Sequence, residues 1–101
     1  MELIEEYELD CRYDTRQSFY GKANVEIYED KKGKRIDLIS YSTNVARISY
    51  DYESGDILYE HFGKYSQTTS RHQKEFFRQY GLSMKEYETL RKNGELLIKG
   101  E

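Results

Sequence analysis

The chain predicts an α+β domain: an antiparallel meander of three to four strands followed by two C-terminal helices packed on one of its faces. Three observations predict it. Ser18 to Glu29 alternates in hydrophobicity with the two-residue period of a half-buried strand. Short polar turn segments separate the runs up to Phe62, which suits antiparallel neighbours. The apolar period then lengthens to that of a helix over 66–80 and again over 84–93.

The 101 residues suffice for one domain with a modest core and not for two. Residues 1–12 form an acidic leader in which Leu3, Ile4, Tyr7 and Leu9 suit either a short strand or a helical turn. Strands are expected within 13–62. In the first, Phe19, Gly21, Ala23, Val25 and Ile27 take one face, and Tyr20, Lys22, Asn24, Glu26 and Tyr28 the other. Asp30 to Lys34 reads as a turn, Arg35 to Tyr41 and Asn44 to Tyr52 as strands, Glu53 to Asp56 as a second turn, and Ile57 to Phe62 as a further strand.

The first helix has Ser66, Thr68 and Ser70 as candidate N-caps and Gly81 as its left-handed stop. On a wheel of about 100° per residue, Arg71, Lys74 and Arg78 fall within roughly 60°, while Thr69, Phe76, Phe77 and Tyr80 point the other way. Ser83 and Glu86 make a capping box that opens the second helix, and Gly94 closes it. Leu96, Leu97 and Ile98 are long enough for a final edge strand.

Composition narrows the function classes. The mean hydropathy is −0.99 and 11 residues are tyrosine, so the core must be small and aromatic, with wide half-buried surfaces. The net charge of −3 is distributed in blocks: residues 1–14 carry −5, 15–36 carry +3, 37–60 carry −4, and 61–82 carry +3. Such alternation argues against a uniformly basic nucleic-acid binder and isolates two local candidates. One is the basic helix face of Arg71, Lys74 and Arg78, which could grip phosphates one helical turn apart. The other is the carboxylate series Glu2, Glu5, Glu6, Glu8 and Asp10, which could occupy a protein groove that normally holds a nucleic-acid backbone.

Cys11 is the only cysteine, which rules out an internal disulfide and fits a reducing cytoplasm. No apolar run approaches the roughly 20 residues of a membrane span, and the acidic N-terminus is unlike a secretory signal. A soluble cytoplasmic protein without metal or cofactor is expected. His61 and His72 are the only histidines, and no nucleophile elbow, phosphate loop, HExxH or CxxC spacing accompanies them, so the chain does not read as an enzyme. His72, at the rim of the helix's apolar face, is expected to be a hydrogen-bonded structural residue.

Two stretches, Tyr13 to Ala23 and Tyr65 to Phe76, carry a distinctive pattern whose second half is Tyr-Ser-x-Thr-Thr-x-Arg-His-x-x-x-Phe, formed by Tyr65, Ser66, Thr68, Thr69, Arg71, His72 and Phe76. Together with Leu38 to Ala46 between them, they resemble a family of small proteins of phages and mobile elements in Gram-positive bacteria. The resemblance spans roughly residues 13 to 82, and the family has no assigned activity. It implies a setting in the cytoplasm of a bacterial host and an accessory protein that works by stoichiometric protein binding. Inhibition of a nucleic-acid-guided host nuclease is one such role, and homodimerisation and direct binding of nucleic acid are further options. The caps and core-facing positions of Tyr65, Ser66, Thr68, Thr69, His72 and Phe76 mark the motif as a folding device.

Overall fold

A computed structural model describes residues 1–100. It is an α+β fold built on one antiparallel sheet in the unbroken order β1 (Glu2–Glu8), β2 (Ala23–Glu29), β3 (Gly33–Ser40), β4 (Thr43–Asp51), β5 (Ile57–His61) and β6 (Glu95–Ile98). The helices α1 (Gln67–Gln79) and α2 (Met84–Asn93) lie between β5 and β6 in the chain.

The sheet therefore has six strands where three to four were expected. Two segments account for the difference. The 1–12 leader contains β1, whose pairing with β2 shifts register between Leu3 and Glu5, so its apolar residues do not alternate cleanly. The tail after α2 returns to the sheet as β6 and pairs with β5. The strand expected from Ser18 begins only at Ala23. Tyr20 and Gly21 take left-handed φ of 54° and 74°, and the Lys22 amide closes the turn on the Phe19 carbonyl at 3.0 Å. Phe19 is buried from a loop, with 4% of its surface exposed.

Ala23, Val25 and Ile27 of β2, Ile36 and Leu38 of β3, Ala46 and Ile48 of β4, and Tyr59 of β5 make the inner face. Phe76 and Phe77 of α1 and Tyr87 and Leu90 of α2 cover it, with Leu9, Phe19 and Leu82 closing the margins. Ring contacts run through this layer, the Phe76 and Phe77 centroids being 5.2 Å apart and those of Phe77 and Tyr87 6.1 Å apart. The core is nonetheless mostly aliphatic rather than aromatic as expected: Phe19, Tyr59, Phe76, Phe77 and Tyr87 are its five aromatic members among sixteen, because most of the tyrosines lie half-buried or exposed.

Both helices start and stop where local chemistry dictates. Ser66 caps α1 by accepting from the Thr69 amide at 3.3 Å. At its C-terminus Gly81 adopts φ 95°, its amide bonds the Arg78 carbonyl, and the Leu82 amide reaches Phe77, the paired bonds of a Schellman turn. Ser83 and Glu86 satisfy each other's backbone amides at 3.1 and 2.9 Å to open α2, and Gly94 ends it at φ 85°.

Candidate interaction surfaces

The helices cover one face of the sheet and leave the other open. Because side chains alternate along a strand, the neighbours of the core residues point away from the helices. Register then aligns Glu6, Glu26, Asp37, Arg47, Glu60 and Glu95 in one row that crosses all six strands on the open face. At the centre of the row Asp37 is buried beneath two arginines, with Arg47 Nε 2.7 Å from one carboxylate oxygen and Arg35 Nε 3.3 Å from the other. Those guanidinium groups also lie on aromatic faces, Arg35 on Tyr28 at 4.5 Å and Arg47 on Phe62 at 5.6 Å. Carboxylates flank this trio on both sides.

The acidic series Glu2, Glu5, Glu6 and Glu8 is ordered on β1, and all four residues are exposed. Since β1 pairs only with β2, its outer edge meets no strand among the described residues. Asp10 lies beyond the strand and is engaged locally, with Arg12 Nε at 3.3 Å and Gln79 Nε2 donating to its carbonyl at 2.8 Å.

The basic face is less free than its wheel suggests. Lys74 is exposed, but Arg71 and Arg78 are half-buried. Arg71 Nη1 lies 3.4 Å from Asp14 Oδ1, and the Arg78 guanidinium lies 4.8 Å from the centre of the Tyr13 ring. These residues, with Thr15 and Glu75, line a shallow groove of about 300 Å³. Beneath it Glu75, 2% exposed, accepts from the backbone amides of Tyr13 and Asp14 at 2.8 Å each and from Gln79 Nε2 at 2.6 Å. The helix thereby holds the loop between β1 and β2 through a buried carboxylate. Sequence reasoning gave Glu75 no role and placed Tyr13 and Asp14 only within the resembling stretch. On the wheel Glu75 sits between the basic arc and His72, at the boundary between the exposed and the apolar faces.

Within the motif, Thr69, His72 and Phe76 face inward and Tyr65 and Thr68 are exposed. Ser40 Oγ stands 2.8 Å from His72 Nδ1 and 3.1 Å from Thr69 Oγ1, and Phe19 meets the His72 ring edge to face at 4.5 Å. Burial lowers the pKa of His72, opposed by the nearby Asp14 charge. His61, stacked near Phe77 and likewise buried, is also lowered by burial. The Ser40 and His72 pair resembles a nucleophile and base only in composition. Both side chains are closed off, at 2% and 1% exposure, so no substrate atom reaches them. Among the described residues, no group of three or more His, Cys, Asp or Glu is gathered as metal ligands, and no helix is long and apolar enough to cross a membrane.

Residues 7–92 match the model of a family described as a family of unknown function, DUF8033. The chain belongs to that family. The match takes in α1 and, at least in part, five of the strands and α2, and stops before β6. Neither the curated proteins nor the solved structures yield a match.

Proposed function

We propose that this DUF8033 member is a small phage-type accessory protein that acts by stoichiometric protein binding, offering its acidic edge and open sheet face to a cationic groove of a host protein. The partner class that fits is a nucleic-acid-guided defence nuclease, whose groove is shaped for a polyanion; an anti-CRISPR-like inhibitor would compete there for the same arginines and lysines. One observation carries this reading. Glu2, Glu5, Glu6 and Glu8 stand exposed on an edge strand, Glu6 and Glu8 on the open face and Glu2 and Glu5 on the helix side, and Glu26, Glu60 and Glu95 follow Glu6 across the open face on either side of the paired Asp37 and its arginines. Neighbouring strands set such carboxylates about 4.8 Å apart on a rigid sheet, so little ordering entropy is lost on docking.

The competing use of Arg71, Lys74 and Arg78 on nucleic acid is weakened by their surroundings, since Asp14 engages Arg71 and Tyr13 covers Arg78. Purified guide-loaded nuclease complexes, with and without target nucleic acid, provide the test. A complex of fixed stoichiometry that blocks target binding, and that loses at least tenfold in affinity when Glu2, Glu5, Glu6 and Glu8 all become Gln, supports the reading. Absence of nuclease binding together with salt-sensitive gel shifts of DNA or RNA overturns it in favour of the basic face.

A further inference from the structure

The two edges of the sheet are built differently. β1 carries four glutamates and a register shift, devices that keep an edge from pairing with its own kind. β6 has no register shift, and only Glu95 and the Lys99 that follows it are charged. Leu97 is 46% exposed between them, while Leu96 and Ile98 pack against the core margin.

Backbone directions on β6 follow from two hydrogen bonds. The His61 amide donates to the Gly94 carbonyl at 2.9 Å, and the Gly100 amide to Asp56 Oδ1 at 2.8 Å. Residues alternate in an antiparallel ladder, so Leu96 and Ile98 turn their polar groups toward β5, and Glu95, Leu97 and Lys99 turn theirs outward. No strand meets that outer edge among the described residues.

We propose that β6 pairs with β6 of a second copy of this chain, antiparallel about a two-fold axis through Leu97. In that register Leu97 faces Leu97 of the second copy, Leu96 faces Ile98, and Glu95 faces Lys99 twice over. The residues that exchange hydrogen bonds across the axis are the three whose amides and carbonyls point outward, and both flanking pairs unite opposite charges. Glu95 gains most. Within its own sheet its cross-strand neighbour is Glu60, a like charge, and the second copy supplies the missing cation. Lys99 gives up little, because its contact with Asp56 is 3.9 Å long and 76% of its side chain is exposed.

A second copy fits this edge better than the alternatives within the same chain. Pairing β1 with β1 would set glutamates against glutamates, and pairing β6 with β1 would bring Glu95 to an acidic strand and propagate as an open filament. Joining two β6 edges closes the symmetry, makes one continuous sheet, and leaves both β1 edges at the far ends.

Sedimentation equilibrium from micromolar to sub-millimolar concentration reads the outcome. The wild-type mass should rise toward twice 12.2 kDa and no further. Leu97→Pro should hold the chain at the single mass with an unchanged circular dichroism spectrum, because the lost amide faces outward and serves no bond within the chain. Glu95→Lys and Lys99→Glu should each remain single and dimerise when mixed, since the mixture restores opposite charges at both flanking positions. A wild type of single mass throughout, growth beyond a dimer, or a dimer that survives Leu97→Pro would each overturn the proposal. So would a mixture of the charge variants that fails to associate.

Discussion

At the scale of single residues, the buried polar groups of α1 hold the first third of the chain in place. Glu75 receives three donors, so Glu75→Gln keeps the shape but swaps a charged acceptor for a weaker amide. The expected cost is about 1–3 kcal/mol in denaturant unfolding, with faster amide exchange confined mainly to residues 10–22. Unchanged exchange there would mean that the carboxylate does not hold the loop. His72 ties stability to pH. Burial lowers its pKa, so between the unfolded value near 6.5 and the lower folded value the unfolded chain binds more protons. Stability is thus complete above about pH 6.5 and falls as the solution is acidified below it, by at most about 1.4 kcal/mol per pH unit for each such histidine. His61 acts in the same sense. Replacing His72 with Asn, which can still bond Ser40, should reduce the slope of unfolding free energy against pH between 7 and 5. An unaltered slope would remove His72 from the account.

At the scale of elements, the hairpin between β2 and β3 shows how a turn residue can be fixed by tertiary contact. Asp30 Oδ1 accepts from the amides of Lys32 and Gly33 at 2.8 and 3.0 Å, and these bonds lower the Asp30 pKa. A Cβ on Gly33 would collide with the Tyr50 carbonyl of β4. Gly33→Ala should therefore lower stability by about 1–3 kcal/mol, and a midpoint in urea within error of wild type would contradict that packing. The elements also show what was legible in the chain. The helices were, because Ser66, Gly81, Ser83, Glu86 and Gly94 are local signals that tertiary structure did not override. β1 was ambiguous because its register shift breaks the alternation, and β2 starts late because a left-handed turn at Tyr20 and Gly21 interrupts an otherwise regular pattern. The basic arc was legible as a face. Its partners Asp14 and Tyr13 come from more than fifty positions away, and no local period encodes such a contact.

At the scale of the whole molecule, the arrangement divides labour between the two faces of one sheet. The inner face and the helices build the core, whereas the open face and β1 are left to charge. Two features support the acidic side as the proposed contact surface. The cations of α1 are partly answered within the fold, whereas Glu2, Glu5, Glu6 and Glu8 project from an edge with no strand beyond it among the described residues. Hydrogen-exchange footprinting of the protein bound to a purified guide-loaded nuclease tests this most directly. The account predicts slowed exchange along Glu2–Glu8 and the adjoining strand Ala23–Glu29, with the helix Gln67–Gln79 unaffected. Protection confined to Arg71 through Arg78, obtained with nucleic acid in place of the nuclease, would contradict it.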